Sequence, residues 1–228
     1  RGNYIPITAS ANGRVFQWLV PVGGVLQGSY EPVLLLIAPK KQQLFTLGAD
    51  YKFSVRSKAF LEAAYSNYDV NLFSNSDKAN DGGYAFAGGF ERLARLSKDT
   101  LSGWTLLSAL RLEHVNELFK PLETFRNVEF SRDWNLGNAN YEGDENSGGL
   151  ALTLAKPGQQ VTYQFRTFLK GADYTGFMNL LNSRVTVAKF RLALDGSYLS
   201  SNSPSLNTGF IRSTTDLSRP LSIIIIGA

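Results

Sequence analysis

The side chains in this sequence able to do chemistry are few and scattered. The single histidine, His114, directly follows Glu113. A hydrolytic reading would make it the base for a serine such as Ser108, because an imidazole titrating near neutrality can take a hydroxyl proton. No nucleophile elbow surrounds either residue, so His114 reads as a structural residue at a strand end and no catalytic residue is assigned. Asp77, Asn80, Asp81 and Gly82 carry the oxygen donors and the turn glycine of a hard-cation loop. Ala79 stands where a ligand belongs, however, and no glutamate follows at the spacing a calcium loop needs. This stretch, and the acidic group Glu142, Asp144 and Glu145, read as solvated loops.

Other classes fall away on residue types alone. The chain has no cysteine, which excludes thiolate metal sites, disulfides and a cysteine nucleophile. No glycine-rich phosphate loop opens a helix, so nucleotide binding has no support. Glycosidase carboxylate pairs are defined by a separation in space, which positions along the chain do not give. The expectation is a protein without cofactor or metal, and not an enzyme.

What does repeat is charge at alternate positions. Asp50, Lys52, Glu62, Glu91, Arg111, Glu113, Arg166, Lys170, Arg191 and Asp195 each sit on the polar parity of a segment whose other parity is apolar. Phe45, Leu47, Ala49, Tyr51, Phe53 and Val55 alternate with Thr46, Gly48, Asp50, Lys52 and Ser54. Ala59, Leu61, Ala63 and Tyr65 alternate with Phe60, Glu62, Ala64 and Ser66. The same holds around Tyr84–Glu91, Trp104–Glu113, Leu150–Leu154, Val161–Lys170 and Phe190–Tyr198, with a weaker strand near Gly209–Leu217. Period two is the geometry of a strand, whose successive side chains point to opposite faces. If the apolar face meets lipid, a charge on it costs up to about 2 to 4 kcal/mol near the midplane. The ten charged residues are therefore candidates for a lumen-facing row.

The elements that would carry these rows are long strands. Several segments reach the roughly nine to eleven residues that a tilted strand needs to cross a bilayer, against about five or six in soluble sheets. The connections alternate in length: Arg56–Lys58 short, Asn67–Gly83 long, Ala94–Gly103 short, His114–Gly149 long, Pro157–Gln159 short, Gly171–Arg184 long and Ser200–Thr208 short. Phe125–Leu136 is expected to extend strands beyond the bilayer, and Gly176–Leu181 to form a short turn. Aromatic residues such as Tyr51, Phe53, Tyr65, Tyr84, Phe86, Trp104 and Tyr198 gather near strand ends, where barrels carry interfacial girdles.

The predicted fold is all-β: an antiparallel up-and-down transmembrane β-barrel or a segment of one, with short turns on one side and long polar loops on the other. Membrane strands and surface loops are expected over 44–228, after an irregular loop and strand entry segment over 1–43. Within that segment Gly2-Asn3-Tyr4-Ile5-Pro6-Ile7 returns as Gly28-Ser29-Tyr30-Glu31-Pro32-Val33. Bulk composition agrees. Only 18% of the 228 residues are charged, below the 25% or so of globular chains. The net charge of +4 is spread out rather than gathered into a nucleic-acid footprint. The longest apolar run, Val33–Ala38, is far too short for a membrane helix.

The stretch from Gly28-Ser29-Tyr30-Glu31-Pro32-Val33 through Leu47-Gly48-Ala49-Asp50-Tyr51, Tyr65-Ser66-Asn67-Tyr68-Asp69-Val70-Asn71-Leu72-Phe73-Ser74 and Asp81-Gly82-Gly83-Tyr84-Ala85 resembles the carboxy-terminal β-barrel region of large, uncharacterised bacterial outer-membrane proteins. Arg126-Asn127-Val128-Glu129-Phe130-Ser131-Arg132-Asp133-Trp134 is similar to another segment of that group. The resemblance implies a barrel in the bacterial outer membrane, in contact with its lipid, with a role in transport, secretion or surface anchoring and an unnamed cargo. Complete barrels of this kind commonly end on an aromatic-terminated strand, whereas this sequence ends in Ile223-Ile224-Ile225-Ile226-Gly227-Ala228. The expectation is a partial barrel, closed by further strands or subunits. Two alternatives stay open. One is a soluble secreted β-sandwich that binds a glycan or a protein through its Tyr- and Asn-rich loops, with the apolar parity packed inside. The other is a barrel lipid hydrolase using His114.

Overall fold

The computed structural model describes residues 2–8, 13–32, 37–76, 78–98, 102–137, 139–204 and 206–219. They fall into two compact units, Arg1–Pro39 and Lys40–Ala228. In the first unit, strand β1 (Tyr4–Ile7) pairs antiparallel with β2 (Val15–Trp18). The two copies of the six-residue repeat bind each other at equivalent positions. Gly2 and Gly28 exchange backbone hydrogen bonds of 3.1 and 2.7 Å, and Tyr4 and Tyr30 exchange bonds of 2.8 and 3.0 Å. Similar local sequence here marks the two halves of one pairing.

The second unit is a nine-stranded antiparallel sheet in which every strand neighbours the next in sequence. Its strands are β3 (Lys41–Ser54), β4 (Ser57–Asp69), β5 (Gly82–Arg95), β6 (Thr105–Val115), β7 (Glu145–Lys156), β8 (Gln159–Lys170), β9 (Tyr174–Val187), β10 (Phe190–Ser203) and β11 (Leu206–Ser218). They run from 11 residues in β6 to 14 in β3, β5, β9 and β10, so the expectation of long strands holds. The start of the sheet lies earlier than the predicted residue 44. Lys41, Gln42 and Gln43 already pair with Asp69, Tyr68 and Asn67, because a backbone ladder continues past the point where apolar alternation stops.

Three other expectations are corrected. Gly171–Arg184 is no long loop: β8 and β9 join through Gly171–Asp173, and Gly176–Leu181 lies inside β9 rather than in a helical turn. Phe125–Leu136 contains no strand but a short helix, α1 (Phe130–Asp133). The alternation of short and long connections therefore covers only the first half of the sheet, where 70–81 and 116–144 are long and Val55-Arg56 and Pro157-Gly158 are tight. The Pro157-Gly158 turn follows from local chemistry: proline presets φ at the first central position, and Gly158 takes the positive φ of 75° required at the second.

The register assigns each strand two faces. Connection 116–144 lies on one of them, here the inner face. The Gln42 amide donates to the Lys120 and Pro121 carbonyls at 3.1 and 3.2 Å, and Lys120 N–H donates to Ser66 Oγ at 2.9 Å. At the other edge the Asn135 amide donates to Thr208 Oγ1 at 3.1 Å. One loop thus touches both edge strands. At β5 it presses on the backbone: a Cβ on Gly83 would lie 2.2 Å from Phe119 N and 2.3 Å from the Leu118 carbonyl carbon. Gly83→Ala is expected to lift 116–121 off the sheet while leaving the strand ladder intact. Faster amide hydrogen exchange confined to that loop would report it.

Among the described residues the buried apolar set is small: Val115 at the end of β6, and a cluster of Trp134 from that loop with Phe168, Tyr174, Met178 and Leu199 of the sheet. Phe168 is fully buried, with Phe130 edge-on at 5.0 Å and Trp134 at 5.6 Å between ring centroids. The Tyr174 hydroxyl donates to the Trp134 carbonyl. The opposite, outer face carries the apolar parity uncovered: Leu47 is 77% exposed, Phe45 62% and Leu61 61%. The sheet is open, since β3 and β11 form no ladder with each other.

Candidate functional site

All ten sequence-predicted charges fall on the inner face. Following the pairs across the sheet, one row reads Asp50, Phe60, Gly89, Arg111, Gly149, Arg166 and Met178. A second reads Gly48, Glu62, Ala87, Glu113, Ser147 and Phe168. Lys52 and Glu91 lie in a third row with Lys58 between them. Lys170 pairs with Glu145, while Arg191 and Asp195 occupy the same face of β10. Parity alone brings these side chains together, because every strand of a regular sheet presents alternate residues to one side.

Six of the ten are distinguished by what their side chains meet. Lys58 meets Glu91 at 2.9 Å, Lys170 meets Glu145 at 3.0 Å, and Arg184 meets Asp195 at 3.2 Å. Glu113 is held by Arg126 at 2.5 Å, and Arg126 also reaches Glu145 at 2.8 Å. Arg166 meets no carboxylate among the described residues; its Nη2 donates to Gln164 Oε1 at 2.7 Å. Arg111 lies over the Phe60 ring at 5.4 Å and only approaches Glu113, at 3.9 Å.

Arg126 is the residue that sequence reasoning missed. It stands on the long connection, outside any alternating segment, so no periodicity marks it. Its guanidinium bridges β6 and β7 through Glu113 and Glu145, and it also lies over the rings of Phe125 and Phe130 at 4.5 and 4.7 Å. The sequence marks it only as the first residue of the segment Arg126–Trp134 and by its place before an aromatic-rich stretch inside a loop. With Phe130 and Trp134 packed on Phe168, the connection becomes a strap over the inner face. A cavity of about 330 Å³ lies on one side of it, lined by Arg111, Arg126, Gln164, Arg166 and Trp134. On the other side, one of about 990 Å³ is floored by Gly48, Ala64, Ala85 and Ala87 and walled by Phe119, Leu122 and Phe125.

The structure does not bring His114 and Ser108 together. His114 and Ser108 share the outer face of β6 six positions apart, which places them about 20 Å from each other at some 3.4 Å per residue. Glu113 points to the opposite face from His114. The ring instead bonds Asn146 Oδ1 through Nδ1 at 2.9 Å, stacks on Tyr84 at 5.6 Å and lies 3.7 Å from Asp144. Asp144 anchors the strap: its carboxylate accepts from the Asn116 amide at 3.0 Å and from Glu117 N–H at 2.9 Å. Asp77 lies outside the described residues. Among the described residues no group of three or more His, Cys, Asp or Glu side chains is placed to hold a metal ion.

No family model, no curated protein and no solved structure matches this chain.

Proposed function

We propose that Lys40–Ser218 is the membrane-crossing part of a bacterial outer-membrane β-barrel serving transport, secretion or surface anchoring, as the resemblance to large outer-membrane proteins implies. The observation that carries this reading is the course of the apolar band over the outer face. In β4 and β5 the band ends at Ala59 and Phe90, beyond which come Ser57 and Arg92. The ladder row through that edge continues as Leu110, Leu150, Phe165, Asn179 and Tyr198. At Tyr198 the same row marks the opposite edge of the band, beyond which come Ser200 and Asn202, while Leu194, Leu192 and Phe190 lie within it. The band thus crosses the hydrogen-bond rows obliquely. Strands tilted by roughly 35 to 45° through a flat hydrocarbon slab require that slant.

A soluble sandwich would need a second sheet to cover the outer row. Among the described residues the only strands besides these nine are β1 and β2, of four residues each. Uncovered apolar area of this extent calls for another apolar phase; the outer-face charges Lys41, Asp69, Arg92 and Lys156 lie toward strand ends, and the charges within the band lie on the inner face, as a polar lumen requires.

β3 and β11 are the first and ninth strands of an antiparallel series, so they run in the same direction and would meet only in a parallel seam. A second copy inserted in the same orientation has the same difficulty. An antiparallel closure needs an odd number of additional strands, which fits the even strand counts of single-chain bacterial barrels. The reading is tested by fractionation. The protein is expected in the outer-membrane fraction, resisting a carbonate wash and released by detergent. Recovery as a monodisperse species in detergent-free buffer would overturn it.

A further inference from the structure

We infer that the smaller inner-face cavity is a binding site for a small oxyanion, a carboxylate or a phosphate, held by Arg166 and Arg111 over Gly149 with Arg126 at its roof. Two observations lead there. First, the cross-strand row places Arg111 and Arg166 on either side of Gly149. Two interstrand steps separate them, about 9 to 10 Å, and the residue between has no side chain. The floor between the two cations is bare backbone.

Second, the charges of the cavity do not cancel. Its lining holds Arg111, Arg126 and Arg166 against Glu113 and Asp133. Each carboxylate already has a cation of its own: Arg126 lies 2.5 Å from Glu113 and Arg132 lies 3.4 Å from Asp133. Arg166 is left with only a neutral amide at 2.7 Å. Arg111 has an aromatic face at 5.4 Å and a carboxylate at 3.9 Å, beyond hydrogen-bond distance.

Arg126 closes the roof, its guanidinium held between Glu113 and Glu145. Guanidinium groups recognise carboxylate and phosphate through short charge-assisted hydrogen bonds. A volume of about 330 Å³ stands at the lower end of the range for small-ligand sites. A compact anion fits better than a polymer. The inference is independent of the membrane reading, because the cavity lies on the inner face whatever surrounds the outer one.

The test is a calorimetric titration of the full chain, in whichever medium keeps it monodisperse, with inorganic phosphate and separately with succinate. Saturable binding of one or both, weakened by added sodium chloride, is expected, and the stronger of the two names the preferred head group. Arg166→Gln should raise Kd roughly tenfold or more, the equivalent of one charge-assisted hydrogen bond, and Arg111→Gln should raise it less. Arg191→Gln, on the same face but outside this cavity, should leave it unchanged. Circular dichroism identical to the parent shows that each variant is folded. Absence of saturable binding of both probes up to roughly 10 mM, or equal affinity in parent and Arg166→Gln, would overturn the inference.

Discussion

Replacing Phe168 with alanine is expected to lower the stability of the sheet by about 3 to 5 kcal/mol, the usual cost of emptying a buried aromatic position. Phe168 is fully buried and touches Phe130, Trp134 and Tyr174 at 5.0, 5.6 and 5.8 Å between ring centroids. It is the point where strap, β8 and β9 meet. Its loss should also free the strap, since Phe130 and Trp134 would face a void and the Arg126 guanidinium, 5.9 Å from the ring, would lose its packing. Denaturant unfolding followed by intrinsic fluorescence measures the change. Phe210→Ala, on the inner face of β11 but 51% exposed, should cost less than about 1 kcal/mol. Equal losses in the two variants would show that the cluster under the strap is not the stabilising core.

A second large effect is expected from Leu61→Arg. Leu61 points outward from β4, between Ala59 and Tyr65 in the apolar band, and is 61% exposed in the chain by itself. Surrounded by water, such a change would stay within about 0.5 kcal/mol. Surrounded by hydrocarbon, it should cost about 2 to 4 kcal/mol. Thr46→Arg, on the inner face of the neighbouring strand, serves as the control and should be nearly neutral. Folding yields into lipid vesicles, read by protease protection, compare the two. A Leu61→Arg protein as stable as the Thr46→Arg protein would remove the argument for lipid on the outer face.

Much of the sheet was legible in the residues. Wherever the two rows differ clearly in polarity, as in β3 through β6 and in β8, the strand and its facing followed from period two alone. β9 was lost for a physical reason. Its inner row, Tyr174, Met178 and Leu180, is apolar because it packs beneath the strap, while its outer row includes Asn179 and Ser183. The polarity contrast is therefore weak or inverted. The turn that follows gave no help either: Ala188-Lys189 makes a two-residue connection with Ala188 at a φ of 54°, without the glycine, asparagine or proline that usually announces one. The polar connection 116–144 looked solvated, yet its Lys120, Arg126, Phe130 and Trp134 are the groups that tie it to the sheet.

What the order of residues determined by itself is the pairing of a face with a polarity: strands, their length, and ten charges on one side. Strand geometry is local, and alternation needs no distant information. What only the tertiary structure decided is where the long connection goes. Its return over the inner face depends on contacts between residues far apart in the chain, such as Arg126 with Glu113, Trp134 with Phe168 and Gly83 beneath Phe119. No period along the sequence encodes such contacts, and they turn a row of charges into a roofed cavity.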